Sequence, residues 1–190
     1  MVSLLVFVFL IVAVFGYLVG IYNNLVRVSA GVKLAWSNID VLLVQRHDEL
    51  PKLIEVCRQY MQYERDTLER VMQARAGVAA ARSSGNVNAV GTAEDALRSG
   101  LRGLYAVAER YPDLKANEAF RQLQTRISGL ETAIADRREV YNDAVNANNI
   151  RIQAFPDLFV ARFGNFPPAQ LLHVEAEQKS DVDMKALFAR

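Results

Sequence analysis

Between Met1 and Val26 there is no charged side chain, and Val2 to Ile21 is almost wholly Val, Leu, Phe and Ile. Twenty helical residues rise ~30 Å, the thickness of a bilayer's hydrocarbon core. Residues 1–23 are therefore expected to be a single transmembrane anchor. Tyr17 and Tyr22 sit near its end, where aromatic rings favour the membrane–water interface. A cleaved signal peptide fits less well, because the run lacks a basic n-region, exceeds the usual h-region and is followed by no clear A-x-A site. A soluble core helix would rarely go six turns without a polar position. Gly16 and Gly20 form a G-x-x-x-G pair, a spacing that lets membrane helices approach closely, and they are the candidate membrane-helix contact. Arg27, Lys33 and Arg46 follow the span, against Asp40. The positive-inside rule then leans the bulk of the chain towards the cytoplasm, on a bacterial cytoplasmic membrane.

The remainder reads as all-α, an elongated antiparallel bundle of about four helices in residues 24–166. Five prolines and ten glycines in 190 residues leave room for long elements. A helix is expected to continue from the anchor through residue 47 on the stripe Val28, Val32, Trp36, Ile39 and Leu43. A second is expected from Asp48 to Arg82, with Pro51 starting or kinking it. Residues 83–91, SSGNVNAVG, read as a turn, followed by a helix from a Thr92 N-cap to Arg110. Tyr111-Pro112-Asp113 breaks that helix, and the clearest helix of all follows from Ala116 to Gln153. A short apolar helix or turn spans Asp157 to Phe163, Phe166-Pro167-Pro168 stops it, and residues 167–190 are expected to be a mobile tail.

Reactive chemistry is hard to find. Nucleotide, metalloprotease, redox and nucleophile-elbow motifs are all absent, and His47 and His173 have no ligand-spaced companions. The expectation is no catalytic residue, no metal, no cofactor and no enzyme. Cys57 lies on an apolar stripe and reads as core filler. A net charge of +1 gives no electrostatic case for nucleic acid. Two polar clusters stand out. One is Arg137, Arg138, Tyr141, Asn142, Asp143, Asn146, Asn148 and Asn149, read either as a contact site for a partner or as a hydrogen-bond network tying bundle helices together. The other, Gln45 to Glu49, reads as a recognition corner or as a solvated helix junction.

Several blocks in order resemble the LemA family: YNNLV (22–26), AWSNIDVLLVQRHDELPKLIEVCRQY (35–60), ERYPDLKANEAFRQLQ (109–124), RREVYNDAVNANN (137–149) and FPDLFVARFG (155–164). Leu43 and Val44 depart from the polar or basic residues of many members, and Asn148 from a common aromatic. The resemblance implies an antiparallel bundle behind one membrane helix, and no established catalytic residue or cofactor. Some members are linked to the organisation of bacterial membranes, including magnetosome formation. The expected role is a non-enzymatic membrane scaffold, with the lipid bilayer and further copies of the chain as partners. The alternative is an adaptor for another membrane protein, such as a protease or a signalling component.

Overall fold

The computed structural model describes residues 1–173, and every regular element among them is helical. Helix α1 runs Val2–Tyr60, α2 Arg65–Ser84, α3 Val87–Ala108, α4 Pro112–Ala116, α5 Glu118–Gln153 and α6 Asp157–Phe163. The all-α bundle expected from periodicity is what the chain forms, with boundaries that differ in instructive ways.

The expected anchor, the helix continuing it and the start of the next one are a single helix. With 59 residues, α1 is ~88 Å long. Pro51 neither starts nor breaks it. A proline inside a helix removes one N–H and leaves the carbonyl four residues earlier without its intrahelical donor. That carbonyl belongs to His47, and Arg75 of α2 donates its Nε–H to it at 2.9 Å. A tertiary contact thus replaces the lost helical bond. Burial and the Arg75 charge together hold the His47 imidazole below its ordinary pKa.

The helix expected over 48–82 is interrupted at residues 61–64, where the chain reverses. Met61 leaves helical geometry, yet its side chain is fully buried. Glu64 holds the reversal by accepting from Arg110 at 2.9 Å and from the Tyr111 hydroxyl at 3.3 Å. Periodicity misses this turn because Met61 and Leu68 are seven residues apart, two helical turns, so the apolar phase runs through the break. From there α2 descends antiparallel to α1, with Arg82 gripping the Asp40 carboxylate at 2.7 and 3.0 Å.

The turn expected over 83–91 shrinks to Gly85 and Asn86. Gly85 takes the left-handed conformation, φ 67°, that ends α2. Asn86 caps α3 by accepting from the amides of Asn88 and Ala89. Thr92, the expected cap, is instead inside α3 and donates to the Asn88 carbonyl. Helix α4 closes the far end with Leu114 fully buried. Asn117 then caps α5 through the Phe120 amide while donating to the Tyr60 hydroxyl at 3.1 Å.

Helix α5 returns antiparallel along α1, joined to it by Arg126–Glu49 at 3.2 Å and by the Trp36 and Tyr141 rings at 5.4 Å. The most extensive helix packing is that of α1 with α5 and of α2 with α3. Four helices surround the far half of the bundle. Nearer the N-terminus, beyond the α2–α3 turn, α1 and α5 are covered instead by α6 and by residues 164–173. The core follows the same axis in three clusters, around Ile21 and Leu25, from Val32 to Leu43, and from Leu50 onward.

The Arg75–His47 contact is testable by a double-mutant cycle in unfolding experiments. Arg75→Met is expected to cost about 1–2 kcal/mol. In a Pro51→Ala background the cost is expected to fall, because the restored amide at position 51 satisfies the His47 carbonyl. Equal costs in both backgrounds would show that Arg75 does not compensate the proline.

Candidate functional site, an exposed apolar helix on a bundle with a charged interior layer

Every residue from Met1 to Gly20 is exposed, and Ile21 is the first buried one. Large side chains protrude all round the helix, among them Leu5, Phe9 and Phe15, each about two-thirds exposed. An all-round apolar surface of this kind has no water-facing side. The stretch is long and apolar enough to cross a membrane. Gly16 and Gly20 lie four residues apart on this surface with open space where a Cβ would stand. They leave a shallow notch that nothing among the described residues fills.

The bundle interior holds a second feature. Arg46 and Glu94 are 2% and 3% exposed and form an ion pair between α1 and α3. Glu131 of α5 faces the same layer, where burial pushes its carboxyl above the ordinary range against the pull of Arg46, Arg98 and Arg102. Burial also raises the Tyr105 phenol, helped by the neighbouring Glu131. The layer falls between the two larger core clusters, Leu43 on one side and Leu50 on the other. Its Arg46–Glu94 pair is sealed from solvent, while Glu131 is partly buried beside it. A buried pair of opposite charges penalises any register that separates them.

Sequence reading missed this layer, although a signal was present. Arg46 sits on the stripe Ile39, Leu43, Leu50, and Glu94 on Val90, Leu97, Leu101. Glu131 sits likewise between Ile127 and Ile134. Each charged residue occupies a position where helical spacing demands an apolar one. The Gln45–Glu49 segment is not a helix junction, because α1 runs straight through it, and Gln45 and Asp48 are its exposed members. Arg46 is core, His47 gives its carbonyl to Arg75, and Glu49 accepts from Lys52 and Arg126.

Within the asparagine cluster, Tyr141, Asn142 and Asn149 hold the segment that follows α6. Asn142 accepts from the Leu172 amide at 2.9 Å and donates to its carbonyl at 3.2 Å. Asn149 does the same to Ala169, 2.9 Å each way. The Tyr141 hydroxyl donates to the Gln170 carbonyl at 2.8 Å. Two side-chain amides thus imitate the neighbouring strand that an extended backbone lacks. Arg137 and Asn146 are exposed, and Arg138 is half-buried outside this clamp.

The clamped segment belongs to the region expected to be a mobile tail from residue 167. Through His173 it is docked, with Leu172 in the core; the rest of that expected tail, 174–190, lies outside the described residues. Gly91 is the companion of this docking. A Cβ there would lie 2.0 Å from the His173 carbonyl oxygen. Cys57 is fully buried and its thiol is pushed up to about 12, as befits a core filler. Among the described residues no three of His, Cys, Asp and Glu converge as metal ligands.

Fold and surface together define a helical-bundle protein carrying one candidate N-terminal transmembrane helix. The LemA family model matches residues 35–185, most of the chain, and the protein belongs to the LemA family. Among its relatives, Protein LemA of Metamycoplasma hominis is 27% identical over 96% of this chain and 83% of its own length. Magnetosome proteins MamQ 1 and MamQ 2 of Paramagnetospirillum magneticum are each 24% identical over 88% of this chain and 70% of their own. None of these names denotes an enzymatic activity.

Two expectations follow from the charged layer. Glu94→Ala strands the Arg46 charge and is expected to cost about 3–5 kcal/mol in urea unfolding of the full chain in mild detergent, with most of it recovered in Arg46→Leu/Glu94→Leu. Folded Glu131 holds its proton to higher pH than the unfolded chain does. Folding therefore takes up a proton in that window, and stability falls as pH rises from the ordinary glutamate value of 4.5 through the raised one. Melting curves of Glu131→Gln are expected to show a gain at pH 7 that disappears as pH falls below 4.5.

Proposed function

We propose that this chain is a non-enzymatic scaffold of the bacterial cytoplasmic membrane, anchored through residues 1–23, and that it self-associates to organise or shape the bilayer around it. The observation that carries the reading is the exposed apolar stretch passing without a break into the first bundle helix. An anchor confines copies to two dimensions and raises their effective concentration, so weak contacts suffice for assembly. The Gly16/Gly20 notch is the proposed contact between copies, because small residues allow close helix approach where lipid supplies no hydrophobic drive. The magnetosome relatives agree with a membrane setting. Arg27 and Lys33, both exposed just beyond the span, favour placing the bundle on the cytoplasmic side.

Crosslinking in native membranes, followed by sizing in mild detergent, tests this reading. The expected product is a homo-oligomer that Gly16→Leu/Gly20→Leu weakens without changing helix content. A strictly monomeric chain at high membrane density would remove the scaffold. Stoichiometric recovery of one other membrane protein would favour the adaptor.

A further inference from the structure

Three phenylalanines crowd the base of the bundle with nothing over them among the described residues. Phe155, Phe159 and Phe163 are 81%, 55% and 94% exposed. Phe159 and Phe163 are four residues apart in α6 and share one side, and Phe155, in the turn before the helix, joins them through its ring, which stands edge to face with that of Phe159 at 6.0 Å. The other side of α6 is buried. Ala161 and Val160 pack on Ile21, Leu25 and Ile152, and just beyond the helix Phe166 meets the Tyr22 ring at 5.6 Å. The position of α6 follows from those contacts. Ile21 ends the ~30 Å apolar stretch, and Leu25 lies one turn further on. Helix α6 is therefore held beside α1 at the level where the span would leave the hydrocarbon.

We infer that α6 is a second membrane contact, laying Phe155, Phe159 and Phe163 into the interfacial region of the same bilayer that holds α1. This rests on reading α1 as a membrane anchor. The lipid surface is the occupant because α6 packs on Ile21 and Leu25, where the apolar stretch ends, which sets its exposed phenylalanines at the same level. Aromatic rings are favoured at this depth, where one face meets acyl chains and the other meets water. The local charges agree. Arg162, next to Phe163, and Arg27, two residues beyond Leu25 on α1, are exposed and suit lipid phosphates, while Asp157, the acidic residue of α6, is buried and paired with Arg151. The arrangement gives the bundle two points of attachment, α1 and the α6 face.

Tryptophan fluorescence of the full chain in liposomes with brominated phosphatidylcholine reads this directly, in a Trp36→Phe background. Leu10→Trp reports the anchor, Tyr63→Trp the far turn, and Phe159→Trp and Phe163→Trp the α6 face. The expected result is blue-shifted, quenched emission at positions 10, 159 and 163 and unquenched emission at 63. Quenching at 10 with none at 159 and 163 overturns the α6 contact and leaves the anchor standing. A blue shift at 159 and 163 without bromine quenching means that protein, such as a second copy, covers the patch, and also overturns it. No quenching at 10 overturns the anchor reading and this inference together. The probe at 163, almost fully exposed, keeps the test valid if the one at 159 disturbs packing.

Discussion

Helix α1 sets the terms for the rest of the molecule. A helix this long does not stand alone on local propensity; it needs an apolar face covered along its length. Its first 20 residues are left bare by the rest of the described residues and match a bilayer in length. The following 40 are covered piece by piece: α5 along their whole extent, the α2–α3 hairpin over the far half, and α6 with the clamped segment over the near half. Even the proline inside α1 is accommodated by this covering, since the donor replacing its missing amide comes from α2.

The charged layer divides that covering into two parts. Arg46, Glu94 and Glu131 come from three different helices and meet at one level between two apolar clusters. Leucines and valines on long helices slide past one another by a turn at modest loss. A charge that loses its opposite in a dry interior is far more expensive. The layer therefore selects one vertical alignment of the helices, while the apolar clusters on either side supply the net stabilisation.

Helices were legible in the sequence and their ends were not, for physical reasons. Periodicity reports which residues face a core, so the long α5 was read to within two residues of its bounds. It is blind where a reversal keeps the apolar phase, as at Met61, and where a proline's defect is repaired by a residue distant in sequence, as Arg75 does. The Asn86 cap was missed because SSGNVNAVG contains many turn-forming residues and only tertiary placement chooses among them. The asparagine cluster reads in the sequence either as a partner contact site or as a network between helices, and the segment that Asn142 and Asn149 hold carries no signal of its own. An extended segment held by side chains carries neither a helical nor a strand signature, so residues 167–173 read as a tail. The three charges of the interior layer were visible at apolar stripe positions, and the stripe was read for its hydrophobic members alone.

No linker separates the apolar stretch of α1 from its bundle portion, so the two move as one body. With α1 seated in a bilayer as proposed, a tilt of about 20°, ordinary for membrane helices, carries the far turn at Met61 sideways by roughly 20 Å. The far end becomes the tip of a lever whose short arm is the span. Changes in bilayer thickness that shift the tilt by a few degrees then appear, magnified, at the surface where neighbouring proteins would meet it.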